Sequence, residues 1–175
     1  MNLRNRIIVV LVFVFITVSL VTGYSPVQEF NTKAPDITSK QWLNSQPLDW
    51  SVLKDKVVLV EFWTFECYNC KNVEPYVKKW YETYKNQGLE VVAVHSPEFD
   101  RERKIENVRE YIADHSITYP VAIDNDFKIW KNFSNRYWPA MYLVDKKGIV
   151  RYRFIGEGNY QLIENTLKKL LKEAS

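Results

Sequence analysis

The chain has 175 residues, 46% hydrophobic and 26% charged, the profile of one globular domain with its own core and no room for a second. Lys and Arg total 24 against 21 Asp and Glu, and no block of like charge is long enough to form a nucleic-acid arm, so no polyanionic partner is expected. Six Trp and eleven Tyr argue against disorder, which is depleted in such residues.

The chain opens on "MNLRNR", with Arg4 and Arg6, followed by the uncharged, largely apolar run Ile7 to Val21 and by small or neutral residues at Thr22 and Gly23. This pattern reads as a signal peptide or an N-terminal membrane anchor over residues 1–23. In either case the arginines hold the N-terminus inside and the rest is exported, giving an extracytoplasmic location. Residues 24–32, "YSPVQEFNT", have no sustained period and read as a linker, so the domain is expected over 33–175. Loss of residues 1–23 removes Arg4 and Arg6 and no acidic residue, leaving the exported part close to neutral.

Within the domain, the stretch before Lys56 mixes short apolar runs with Pro35 and Pro47, which predicts short edge strands or a hairpin. "VVLVEFW", Val57 to Trp63, is a β-branched and aromatic run expected as a strand buried on both faces. Val73, Val77, Trp80 and Tyr84 then recur at helical spacing up to Gly88, predicting a helix from about Cys67 to Gln87, kinked at Pro75. "LEVVAVHS" is a second buried strand, completing a β-α-β unit. A second helix is predicted over roughly Glu102 to His115, then a short strand in "YPVAIDN". A hairpin follows, with "AMYLVD" and "IVRYRFIG" joined at Gly148, and a last helix from about Asn159 to Glu173.

The two cysteines, Cys67 and Cys70, are the only ones in the chain and lie at the first strand-to-helix junction. There Cys67 meets unpaired N–H groups and the positive end of the helix dipole, which favour a thiolate and place it as the nucleophile. Cys70, one turn deeper and within disulfide reach, is placed as the resolving thiol. A purely structural staple gains little from so short a loop. A metal site needs two further ligands, and the sequence offers only His95 and His115, so no metal is expected. His95 ends the neighbouring strand near the same sheet edge, whereas His115 is expected on a solvated helix face.

These features together resemble the thioredoxin-like family, over most of the chain from about Lys33. The resemblance rests on C-x-x-C at a strand-to-helix junction and on Glu61, an acid six positions before the first cysteine. It rests also on Pro75, five positions after the second cysteine, and on the proline-led strand "YWPAMYLVD". Within the family the chain is most similar to the exported TlpA-like branch and to the C-terminal domain of DipZ-type proteins, as "FWTFECYNC", "VHSPEF" and "NRYWPAMYLVD" indicate. The implied fold is an α/β thioredoxin-like fold, a central mixed sheet flanked by helices, with an N-terminal strand or hairpin extension. The implied activity is thiol-disulfide exchange, with Cys67 and Cys70 as the redox disulfide and no cofactor.

Glu61 is implied as the buried acid that shuttles a proton for Cys70 and Pro139 as a cis proline opposite the cysteines. Trp138 would present main-chain groups to an extended substrate segment, with Tyr68 and Asn69 between the cysteines, Glu66 beside them and Tyr137 as further contacts. The family's usual Trp before the first cysteine is replaced by Glu66, and its usual Gly-Pro by Tyr68-Asn69. A carboxylate beside Cys67 raises its pKa, partly offset by Lys71, and so favours a reductase. The implied partners are client proteins with disulfides and a CcdA-like membrane electron donor, with the chain itself a monomer. Two alternatives remain at this point: a peroxiredoxin-like peroxide reductase, and a metal-carrying or redox-inert binding module of the same fold.

Overall fold

The structure is a computed structural model, and residues 27–174 are described here; the segment read as a signal peptide or anchor lies outside them. Seven strands form one sheet: β1 (Val27–Lys33), β2 (Trp42–Leu43), β3 (Val57–Trp63), β4 (Leu89–His95), β5 (Val121–Ile123), β6 (Ala140–Val144) and β7 (Ile149–Ile155). Their spatial order is β1-β7-β6-β3-β4-β5-β2. β3, β4 and β5 run parallel, and β6, β7, β1 and β2 each pair antiparallel with a neighbour. The helices are α1 (Tyr68–Tyr84), α2 (Ile105–Asp114), α3 (Lys128–Asn132) and α4 (Tyr160–Lys172).

The centre follows from the sequence pattern. Every residue of β3 is buried, because the strand pairs along its length with β4 on one side and β6 on the other and is covered on both faces. Leu59 and Trp63 point into a cluster with Val73, Val77 and Trp80 of α1, Val108 and Ile112 of α2, and Ile163, Leu167 and Leu170 of α4. Val58, Val60 and Phe62 face the other cluster, with Ile129, Phe133 and Tyr142. Strand alternation therefore puts Glu61 on the α1 side, between Leu59 and Trp63.

Several boundaries differ from the sequence-based expectations. Residues 27–32, expected as linker, belong to β1, which pairs with β7 from Val27 opposite Phe154 to Lys33 opposite Ile149. Its polar residues carry no strand pattern of their own; the free edge of β7 supplies the order. The extension before β3 contains β1 and β2 at opposite edges of the sheet, so the edge-strand alternative holds and the two do not form a hairpin. The second helix starts at Ile105 and not near Glu102, because Asp100–Arg103 form a separate 3-10 turn whose Glu102 side chain turns back onto the preceding backbone. Helix α3 was not anticipated. At five residues it is too short to show a period, and buried Asp124 orders it by accepting the N–H groups of Ile129 and Trp130 at 2.9 Å each.

Trp80 is fully enclosed where α1 crosses the sheet. Trp80→Ala is expected to lower unfolding stability by about 3–5 kcal/mol, read as a fall in urea midpoint with an unchanged slope. A loss below about 1 kcal/mol would mean that this packing contributes little.

Candidate active site at the exit of the central strand

β3 ends at Trp63, and the chain turns through Thr64, Phe65 and Glu66 into α1. Cys67 is the N-cap of that 17-residue helix, in extended backbone, and its Sγ accepts the Cys70 N–H at 3.2 Å. The sulfur thus lies where a helix donates unpaired N–H groups and partial positive charge. Cys67 and Cys70 are joined as a disulfide with Cα atoms 5.2 Å apart. Their environments differ: Cys67 is half-buried, while Cys70 is 3% exposed within the α1-side core. Between them Tyr68 is 75% exposed, and Asn69 is exposed as well.

Glu61 lies on the α1 side of β3, two residues before its end, and is 2% exposed. Burial, helped by the nearby charge of Glu74, raises its pKa to about 8. The competing reading, a simple pair with Lys56, is ruled out because Lys56 bonds Glu90 at 3.0 Å. Glu74, one turn beyond Cys70 on α1, is itself held below the usual carboxylate range. Its own burial works against this but is outweighed by hydrogen bonds from Lys78, Tyr111 and His115. His115, expected on a solvated face, instead contacts Glu74 at 3.0 Å and stacks on Tyr111 with ring centroids 3.8 Å apart.

On the facing loop the Trp138–Pro139 bond is cis. Pro139 leads into β6, and its carbonyl accepts the Gly156 N–H at 2.9 Å. The indole of Trp138 is tied down by a 3.0 Å bond from Nε1 to the Ser96 carbonyl and lies against Trp130, centroids 4.3 Å apart. Ser96 directly follows β4, and its N–H donates to the Trp63 carbonyl at 3.1 Å. The ends of β3 and β4 and the proline loop are therefore bonded into one edge. Tyr137 is exposed at that edge.

A third loop joins them, through Glu102 and Arg101, which the sequence did not single out, and beside His95, which it did. Glu102 is fully buried and accepts from the Thr64 hydroxyl and, at 3.0 Å, from the Glu66 N–H. Its other oxygen accepts the N–H groups of Glu98 and Phe99 at 2.7 and 2.8 Å. His95, also fully buried, places Nε2 3.3 Å from the Thr64 hydroxyl and stacks on Phe65. Burial lowers its pKa to about 4, so the ring is neutral near pH 7. Next to Glu102, Arg101 pairs its guanidinium with the Glu66 carboxylate. The counter-charge assigned to Lys71 therefore comes from Arg101; among the described residues Lys71 makes no ion pair. No sequence signal marks these partners, because Thr64 and Glu102 meet only through the fold. Among the described residues no three or more His, Cys, Asp or Glu gather as a metal-binding group.

Residues 30–153 match the AhpC/TSA family. The chain belongs to that family. It is 43% identical over 145 residues to Protein DipZ of Mycobacterium tuberculosis (strain CDC 1551 / Oshkosh), an alignment covering 81% of this chain and 21% of DipZ. It is 33% identical over 140 residues to thiol-disulfide oxidoreductase YkuV of Bacillus subtilis (strain 168), covering 79% of this chain and 94% of YkuV. The chain thus spans about a fifth of the length of DipZ and nearly all of YkuV. The solution structure of a thioredoxin-like protein in the oxidized form superposes with a TM-score of 0.75 at 30% identity, covering 83% of this chain and 98% of that one. The fold is thioredoxin-like, with the paired cysteines at the exit of its central strand.

The raised pKa of Glu61 has a consequence for stability. The folded protein holds this proton more tightly than the unfolded chain, so stability is highest below the ordinary value of 4.5. It falls as pH rises towards about 8 and then levels off. Glu61→Gln removes that loss. Its unfolding free energy should match wild type near pH 4.5 and exceed it increasingly up to pH 8–9, by an amount on the order of a few kcal/mol, read as a rise in melting temperature over wild type that grows with pH. A difference independent of pH would show that the carboxyl is not desolvated.

Proposed function

We propose that the protein is an exported reductase of protein disulfides that works through Cys67 and Cys70. The observation that carries this reading is the disulfide at the N-terminus of α1, with one sulfur half-buried and the other enclosed in the core on the same side of the sheet as the buried Glu61. Reduced Cys67 attacks one sulfur of a client disulfide as the thiolate, favoured by the Cys70 N–H and the helix dipole. The client S–S bond breaks, its electron pair leaves on the departing sulfur, and a mixed disulfide forms. Cys70 then gives its proton to the Glu61 carboxylate and attacks the Cys67 sulfur. The second client thiolate leaves, the client has gained two electrons, and the enzyme is left as the Cys67–Cys70 disulfide.

The cis Pro139 loop supports docking of an extended client segment, since proline offers no N–H and Trp138 is fixed by its indole bond. Tyr68, Asn69 and Tyr137 line the exposed rim where such a segment would lie. The apolar run of residues 7–21 behind Arg4 and Arg6 supports export, by a cleaved signal or with an anchor. An exported reductase must be re-reduced from inside, which supports a membrane-embedded thiol donor of the CcdA-like kind. Among the described residues no helix is long and apolar enough to cross a membrane. We also propose that the domain acts as a monomer.

The peroxide-reductase alternative requires a single peroxidatic cysteine in a Thr/Pro-rich setting. Here Thr64 is buried and committed to Glu102, and Pro75 lies inside α1, two turns past Cys67. The expected outcome is reduction of insulin disulfides with dithiothreitol as electron source, lost in Cys67→Ser, beside negligible consumption of hydrogen peroxide. Faster turnover of peroxide than of insulin would reject the proposal in favour of the alternative.

Alkylation of the reduced protein near neutral pH should label Cys67 much faster than Cys70, and preferential labelling of Cys70 would reverse their roles. Resolution of a mixed disulfide should accelerate as pH rises through about 8, where Glu61 becomes the carboxylate base. In Glu61→Gln it should be slower, with that inflection gone, and an inflection that survives the substitution would leave Glu61 no part in proton transfer.

A further inference from the structure

The sequence places a carboxylate, Glu66, directly before the attacking cysteine, and by itself such a charge disfavours a neighbouring thiolate. The structure adds a cation from elsewhere in the fold. Arg101 lies in the 3-10 turn between β4 and α2, pairs with Glu66, and holds its guanidinium carbon 5.8 Å from the centre of the Phe65 ring. We propose that Arg101 is a positioning residue that sets the reducing power of the Cys67/Cys70 pair by cancelling the Glu66 charge, held in register by the buried side chain of Glu102. This inference rests on the thiol-disulfide reading above.

An arginine 67% exposed in its side chain would ordinarily contribute little, because exposed ion pairs are mobile and screened. What distinguishes this one is its mounting. The neighbouring Glu102 is fully buried and accepts from the Glu66 N–H on one oxygen and from the Glu98 and Phe99 N–H groups on the other. The backbone that carries Glu66 and the turn that carries Arg101 are thus held by a single side chain. The Thr64 hydroxyl, bonded to the same Glu102, fixes the other end of the Cys67 approach. Arg101 cannot leave Glu66 by movement of its turn without unmaking hydrogen bonds to the fully buried Glu102 carboxylate, which is costly to leave unpaired.

Other charges near Cys67 do not take this role. Lys71, on the first turn of α1, is exposed and makes no ion pair among the described residues. Arg103 pairs with Asp100 and bonds the Asn125 carbonyl, and so points away. Glu61 lies on the α1 side of β3, and His95 is buried and neutral. Beside the nucleophile stands a pair of nearly zero net charge, and its two halves act on the thiolate with opposite sign.

The test is a glutathione redox titration of the full chain at one pH and low ionic strength, comparing wild type, Arg101→Gln, Arg101→Lys, Glu66→Gln and the double variant Glu66→Gln/Arg101→Gln. The equilibrium is reduced enzyme plus oxidised glutathione giving the enzyme disulfide plus two reduced glutathiones, so thiolate stability in the reduced enzyme is read directly. Arg101→Gln leaves Glu66 uncompensated and should shift the equilibrium constant several-fold, up to about tenfold, towards the enzyme disulfide, that is, to a more reducing pair. Tenfold corresponds to about 30 mV for two electrons. Glu66→Gln should shift it in the oxidising sense, the double variant should return to within about twofold of wild type, and Arg101→Lys should stay close to wild type. High salt should shrink the single-variant shifts. A merely structural Arg101 would lower melting temperature and leave the equilibrium unmoved. That result, or an oxidising shift in Arg101→Gln, overturns the proposal while wild-type exchange with glutathione keeps the oxidoreductase reading intact. Wild type that does not exchange with glutathione defeats both.

Discussion

Everything at the site depends on the complete burial of β3. A strand enclosed on both faces must have each backbone group paired and each side chain packed, and β3 meets this with β4 and β6 alongside and a hydrophobic cluster on either face. Two consequences follow from that rigidity. The chain leaves the sheet at a fixed point, so Cys67 caps α1 at one defined place. Glu61, the one charged residue of the strand, is held away from water on the α1 side.

Hydrogen bonds among the polar groups around that exit offset part of what burial costs. Glu102, Thr64 and His95 form a connected set, with the Glu102 oxygens shared among main-chain donors from both loops. A buried carboxylate that accepts from several donors holds those donors together. Here it converts two flexible connections, the turn before α1 and the turn after β4, into one platform. Asp124 does similar work on the other side, joining Ser96 to the start of α3. Ser96 in turn receives the Trp138 indole, so the proline loop stands on the same platform.

The buried titratable groups pull stability in opposite senses. Glu61, with its pKa raised to about 8, costs stability as pH rises above 4.5; His95, lowered to about 4, costs stability as pH falls below 6.5, because the unfolded chain takes up the proton first. Between about 4.5 and 6.5 the two slopes oppose each other. Keeping Glu61 buried is therefore a standing cost at neutral pH, in keeping with buried acids whose use lies in accepting a proton and not in holding the fold.

The sequence by itself determined what is written in local pattern. The continuous run of β3, the helical spacing of α1, the cysteine pair between them, the hairpin at Gly148 and the proline-led strand each depend on residues a few positions apart, so their period and turn chemistry could be read directly. Tertiary structure decided what depends on distant partners. β1 is a strand because β7 offers an edge, not because its polar residues prefer one, which is why it reads as linker. α3 exists because Asp124 caps it. Glu102 meets Thr64 and Glu66, and Arg101 meets Glu66, only because β4 lies parallel to β3 and delivers its following turn to the same edge. Even Glu61, whose position was legible, owes its shifted acidity to burial and to the nearby charge of Glu74, and only the folded chain determines which groups surround a side chain and which do not.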